Sequence, residues 1–154
     1  MDLTSILRPG AVKVVHTVSS KKRLFQDLGE LFSANYGLDG MAVTAALQER
    51  EALGPTGVGK GVALPHARLP GLEQVVGAFI RVETPFDFEA VDRQPVDLIF
   101  ALFAPEGNGV DHLKALALVS RTLRDGATCA KLRANNDASV LHTVLTDGPS
   151  SKAA

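Results

Sequence analysis

Cysteine occurs once in this 154-residue chain, at Cys129, so no internal disulfide can staple the fold. Long hydrophobic runs are missing too, and nothing approaches the roughly 20 apolar residues that a membrane span needs. Neither sign of charge dominates: 16 Lys and Arg stand against 17 Asp and Glu, a formal net charge of −1. Without a basic block, a nucleic-acid partner has no electrostatic support. The opening MDLTSILRPG has neither the basic stretch nor the apolar core of a signal peptide. Metal-ligand spacing is also absent, with no His-x-x-x-His and no Cys-x-x-Cys among four scattered histidines. These exclusions leave a cytoplasmic globular protein without membrane insertion. At 45% hydrophobic residues it holds enough apolar mass for one core without a metal or disulfide.

What is present reads as alternating elements, with no internal repeat. VKVVH (Val12 to His16) is β-branched and predicts a strand. The next segment puts Leu24, Phe25, Leu28, Leu31 and Phe32 on one helical face, with a serine cap before it and Gly37 after it. Asp39 caps a second helix through MAVTAALQEREAL, which Gly54 and Pro55 end. VALP reads as a short strand, VVGAFIRV (Val75 to Val82) as a longer one. DLIFALFA (Asp97 to Ala104) is apolar enough to be buried on both faces. From Val110 to Gly126 the spacing of Leu113, Leu116, Val119 and Leu123 predicts an amphipathic helix, and shorter helices follow near Thr128–Arg133 and Asp137–Leu145. The expected fold is an α/β sandwich with a central mixed β-sheet flanked by helices. One domain is expected over residues 1–147, with a small, polar, frayed tail over 148–154.

GPTGVGKG (residues 54 to 61) nearly spells a P-loop, G-x-x-x-x-G-K-[ST]. A working P-loop joins a buried strand to a helix whose amides hold the phosphates. Here the preceding element reads as a helix, and VALP follows. Gly61 stands where a Mg²⁺-ligating hydroxyl is required. The context is inverted, and the glycines are better read as a tight loop.

Of the four histidines, His16 closes a strand and His142 sits on a short helix, and neither attracts a role. His66 follows Pro65, which favours extended geometry at Leu64 and carries the chain straight to the imidazole. LPHAR holds no carboxylate, and a neutral imidazole near its ordinary pKa of about 6.5 is a competent nucleophile. Arg68 adds a positive charge two residues on. His112 falls in the first turn of its helix, where free N–H groups and the dipole favour anions. A histidine there can donate to a phosphoryl oxygen. By itself a lone histidine after a proline is more often structural than catalytic, and His112 alone also reads as a solvated first-turn residue or a partner for Asp111.

Four stretches carry a more specific likeness: QEREALGPTGVGKGVALPHARLPG, VGAFIRVETPFDFEAVDRQPVDLIFALFAPE, DHLKALALVSRTLRD and, more loosely, CAKLRANNDASVLHTVL. In that order they resemble the IIA domain of the bacterial phosphoenolpyruvate-dependent sugar phosphotransferase system, fructose/mannitol type, and within it the free-standing nitrogen-type regulatory branch. The resemblance covers most of the chain from about Leu47 onward. It implies that His66 accepts a phosphoryl group on Nε2, that His112 supports the phosphorylated ring, and that Arg50 lies beside the site. A guanidinium suits phosphate oxygens, although the run Glu49–Arg50–Glu51 taken alone reads as a solvated helix charge. Thr56 and Arg68 are further candidate contacts, Arg68 at a position where the family varies. The segment PEGNGV, just before His112, is where partner preference would vary.

The implied chemistry is reversible phosphoryl transfer from a phosphorylated HPr-like carrier (NPr in the nitrogen branch), with no cofactor and no metal. Leu64, Leu69 and Phe86 are candidates for the apolar docking surface. Three outcomes stay open: a regulatory phosphocarrier read by target proteins, a transport component passing phosphate to a IIB domain, and a binding module without transfer activity. A homodimer is compatible with the residues but not required by them.

Overall fold

The computed structural model describes residues 1–107 and 109–147, so the tail expected to fray over 148–154 lies outside the described residues. The chain runs α1 (Leu3–Ile6), β1 (Leu7–Val15), α2 (Lys21–Tyr36), α3 (Gly40–Leu53), β2 (Gly57–Gly59), β3 (Val62–Ala63), β4 (His66–Leu69), β5 (Val76–Phe86), β6 (Val96–Pro105), α4 (Gly109–Arg124), α5 (Gly126–Arg133) and α6 (Ala138–Asp147). One mixed sheet has the order β1-β5-β6-β3-β2, and β4 also pairs with β6. β1 is parallel to β5, β5 antiparallel to β6, and β3 and β4 parallel to β6.

β6 is the central strand, and Leu98 to Ala104 are all buried. Side chains alternate across a strand, so Phe100 and Phe103 face opposite layers. Phe103 meets Phe32 of α2 edge-on, with ring centroids 5.0 Å apart. Phe100 lies against Phe79 of β5. On its side the Cα of Gly77 comes so near Ile6 of α1 that an added Cβ would sit 3.1 Å from it. α1 touches α4 and α6, which makes these helices the second layer. The expected helix–sheet–helix sandwich is the observed one.

Local signals explain the helix borders. Ser20 accepts from Arg23 N–H at 3.0 Å, and Gly37 closes α2 in the left-handed region at φ 69°. Asp39 accepts from Met41 N–H at 3.0 Å and starts α3. The two helices pack as an antiparallel pair with a very close crossing: a Cβ on Gly29 would lie 2.7 Å from both the Gly40 carbonyl oxygen and Thr44 Oγ1.

Three expectations need correction. β1 begins at Leu7, not Val12, with a register irregularity between those residues. Pro9 and Gly10 depress strand propensity there, but Asn35 of α2 donates to the Gly10 carbonyl at 3.0 Å and Tyr36 Oη accepts from Arg8 N–H at 3.0 Å. β5 likewise continues past Val82 to Phe86, beyond its apolar part. In α4 the buried positions are His112, Ala115, Val119, Thr122 and Leu123, while Leu113 is 69% exposed. The buried stripe therefore runs through His112, because small and polar residues occupy positions that an apolar count overlooks.

The Gly29–Gly40 crossing fixes where α3 lies. Gly29→Val should lower unfolding stability by roughly 1–3 kcal/mol, because side-chain atoms must enter a filled space. Urea denaturation would show it as a lower midpoint with an unchanged slope.

Candidate active site

The near-P-loop is a β-hairpin. Gly59 pairs with Val62, so the turn consists of Lys60 and Gly61, with φ of 58° and 81°. Two positive φ values in a two-residue loop are what a type I′ turn needs. Gly61 is also crowded: a Cβ there would sit 2.6 Å from Arg133 Nη2 and 2.8 Å from Asp97 Oδ1. Hairpin geometry therefore explains the missing hydroxyl at this position. The Lys60 backbone is tied down, its N–H to Asp92 at 2.9 Å and its carbonyl to Arg133 at 3.0 Å.

Beyond the hairpin the chain runs along β6 in two pieces, β3 and β4, interrupted at Leu64–Pro65. Proline has no N–H to give, but its carbonyl accepts from Leu102 N–H at 3.0 Å and keeps the chain on β6. His66 opens β4 opposite Leu102, and Arg68 stands opposite Ala104. β6 ends at Pro105 and α4 starts at Gly109, so the end of the strand beside β4 leads directly to His112. α3 packs over β4 and brings Arg50 from its last turn. Arg50, His66, Arg68 and His112 thereby line one open cavity of about 390 Å³, with Ala46, Glu49, Leu53 and Ala67.

Hydrogen bonds fix what each group can do. His66 Nδ1 is 2.7 Å from the Leu64 carbonyl oxygen. A carbonyl only accepts, so Nδ1 carries the proton and Nε2 keeps its lone pair. The His112 ring lies edge-on to His66, with centroids 5.5 Å apart. Arg68 Nε approaches His112 Nδ1 at 3.5 Å, and a guanidinium only donates, which assigns the His112 proton to Nε2. That Nε2 is buried and has no hydrogen-bond partner among the described residues. A buried orphan donor calls for an explanation, and an anion in the cavity supplies one. Arg50 Nη1 donates to the Gly54 carbonyl at 3.0 Å, anchoring the guanidinium at the helix end.

Burial lowers the pKa of His66, reinforced by the Arg50 charge and opposed by the Leu64 hydrogen bond and Glu51. Burial likewise lowers His112, with His66 and Arg68 adding to it. Burial and the nearby charges thus favour the neutral form of both rings, one with a free lone pair and the other with a free N–H. Together with two guanidiniums they form a site able to receive a tetrahedral anion at an imidazole nitrogen. Among the described residues no three His, Cys, Asp or Glu side chains gather as metal ligands.

The family model of the phosphoenolpyruvate-dependent sugar phosphotransferase system, EIIA 2, matches residues 5–147. The chain belongs to that family. It is 46% identical to a nitrogen regulatory protein of Bradyrhizobium diazoefficiens, over 99% of this chain and 100% of that one. It is 37% identical to the nitrogen regulatory protein of Escherichia coli K12, over 96% and 91% of the two chains. The crystal structure of nitrogen regulatory protein IIA-Ntr from Neisseria meningitidis superposes with a TM-score of 0.85 at 37% identity, covering 94% of this chain and 99% of that one.

In this EIIA 2 chain, Thr56 is not among the cavity-lining residues. It is buried, and its hydroxyl donates to Glu51 Oε1 at 2.5 Å. Glu51 is the residue that sequence reasoning passed over. Its side chain is 7% exposed and also pairs with Lys21 Nζ at 3.1 Å. In sequence it is one of several charges at a helix end, and its only distinguishing signal is a threonine just past the helix stop. Of the suggested docking residues, Leu64 is core, and Leu69 and Phe86 are partly buried against it. The exposed apolar side chains near the cavity are Leu53, at 85%, and Val110 and Leu113 on the first turns of α4. His16 lies 3.6 Å from Glu83 and His142 donates to the Leu7 carbonyl at 2.9 Å, so both are accounted for away from the site.

Because both site histidines have lowered pKa values, their NMR titration midpoints should fall below 6.5, the ordinary value. The folded protein then binds fewer protons than the unfolded chain below about pH 6.5. The stability linked to these neutral rings is present above that pH and declines as pH falls through the folded midpoints. Midpoints at or above 6.5 would contradict the burial argument.

Proposed function

We propose that this chain is a regulatory, nitrogen-type IIA phosphocarrier that takes a phosphoryl group on Nε2 of His66. The donor is a phosphorylated HPr-like protein (NPr) in the cytoplasm, and the phosphorylation state is read by target proteins. The observation that carries the reading is the Leu64 bond at His66 Nδ1, which leaves Nε2 as the nucleophilic nitrogen beside two guanidiniums and an unpaired donor. Names among the relatives favour regulation. Nitrogen regulatory proteins match at 46% and 37% identity, and a fructose-specific EIIA component of Haloferax volcanii at 31%.

In the transfer, the Nε2 lone pair attacks phosphorus in line. A P–N bond forms to His66 while the P–N bond to the donor imidazole breaks and its electrons return to that ring. Negative charge spreads over the equatorial oxygens, where His112 Nε2–H and the guanidiniums of Arg50 and Arg68 stabilise it. The His66 ring gains positive charge as the bond forms, and its Nδ1–H bond to Leu64 strengthens accordingly. Leu53, Val110 and Leu113 form the apolar contact for the carrier, ringed by polar groups. Thr56 acts from behind the cavity.

Incubation with phosphoenolpyruvate, enzyme I and an HPr-type carrier should add about 80 Da, one phosphoryl group, to the wild type and nothing to His66→Ala. His112→Ala should slow transfer on the order of a hundredfold, the usual scale for losing one preorganised donor. Arg50→Lys should restore only part of what Arg50→Ala loses, because a point charge cannot replace the planar fork. Phosphate persisting in His66→Ala would refute the assignment, and a gain with ATP alone would reopen the reading of residues 54–61.

A further inference from the structure

We propose that Glu51 is a positioning residue for His66, acting through Thr56 and the Leu64 peptide. The inference rests on the phosphocarrier reading for its purpose, but its geometry stands apart from it. Glu51 lies at the end of α3, and its carboxylate reaches past Gly54 and Pro55 into the following loop. Oε1 accepts the Thr56 hydroxyl at 2.5 Å, and Oε1 and Oε2 share the Thr56 N–H at 3.3 and 3.2 Å. The Thr56 carbonyl in turn accepts from Leu64 N–H at 2.9 Å, and the Leu64 carbonyl accepts from His66 Nδ1 at 2.7 Å. Each link joins the next through a single residue.

The relay is needed where it occurs. The Leu64–Pro65 step falls outside the paired parts of β3 and β4, so sheet pairing alone does not orient the Leu64 carbonyl. On the far side Pro65 is tied to β6 by Leu102 N–H. On the near side the restraint is Thr56, itself buried, in a loop whose Pro55 has no N–H to donate. Lys21 Nζ, 3.1 Å from Glu51 Oε2 and 4.7 Å from the centre of the Phe88 ring, balances the carboxylate charge. Removing Glu51 would leave the buried Thr56 N–H and hydroxyl without that partner, while Lys21 would keep only Glu89 Oε1 at 3.6 Å. The loop would then relax, the Leu64 carbonyl would turn, and His66 would lose the bond that keeps its proton on Nδ1. A ring with its proton on Nε2 has no lone pair there to attack phosphorus.

The deciding measurement is the tautomer of His66, read from ¹⁵N shifts of the imidazole in the full-length protein at a pH above its midpoint. Wild type should show the proton on Nδ1 alone. Glu51→Leu should show mixed tautomers and slow phosphoryl transfer between about tenfold and a hundredfold, the scale of a misplaced reacting group. Glu51→Gln keeps an oxygen for the Thr56 N–H and should recover most of both. A folded Glu51→Leu with the wild-type tautomer and rate would overturn the proposal. If that variant does not fold, Thr56→Val, which deletes only the hydroxyl, decides by the same spectrum: mixed tautomers support the relay and an unchanged spectrum rejects it. The spectrum needs no phosphoryl donor. A wild type that no carrier phosphorylates would therefore sink the carrier reading alone, leaving the relay to the tautomer result.

Discussion

The bond from His66 Nδ1 to the Leu64 carbonyl sets the chemistry of the whole site, because it makes two otherwise equivalent nitrogens different. It spans only two residues, with Pro65 between them, so the ring is held by the chain that carries it. That local clamp works only if the Leu64 peptide is itself fixed. Two elements supply the restraint: β6 through Leu102, and the loop after α3 through Thr56. The position of α3 depends in turn on the tight Gly29–Gly40 crossing with α2, and the position of β6 on burial of both its faces. The sandwich is in this sense a frame for one carbonyl oxygen.

Electrostatically the site is arranged for an incoming anion. Two guanidiniums and two neutral imidazoles converge on an open cavity, and the positive charges help keep the histidines unprotonated. Burial is the larger cause for both rings, and the nearby arginines act in the same direction. A phosphoryl group reverses the balance: it brings the negative charge that Arg50 and Arg68 can pair with, and an acceptor for His112 Nε2–H. The free site carries a buried donor, His112 Nε2–H, without a partner among the described residues, and under the proposed function a phosphoryl group would supply its acceptor.

The near-P-loop illustrates how far a motif depends on context. Its glycines and lysine serve a two-residue hairpin turn, and Gly61 is required by φ and by the Arg133–Asp97 pair pressed against it. The helix before it and the proline after it had already marked the phosphate-cradle reading as inverted. Thr56, by contrast, was read as a contact and turned out to face Glu51. A hydroxyl beside a glycine loop suggests a ligand, and only the fold reveals that a buried carboxylate has claimed it.

Periodicity and caps, which report local burial and local backbone geometry, were sufficient for the helices from α2 onward, the apolar parts of β5 and β6 and the α/β class, but not for the one-turn α1. They also carried an extended chain up to His66 and placed His112 in a first turn, since both follow from neighbouring residues, but the strand that His66 opens, β4, came only with its pairing to β6. They failed where a distant partner overrides propensity, as at Pro9 and Gly10, which α2 holds in β1, and along α4, where the buried stripe includes His112 and leaves Leu113 outside. The meeting of His66 with His112 was beyond any local signal, because it depends on β4 pairing with β6 in a particular register and on the chain turning from β6 into α4. The tautomers and the burial of Glu51 were equally out of reach. A sequence lists donors, acceptors and charges, but which of them face one another is decided by packing across the sheet.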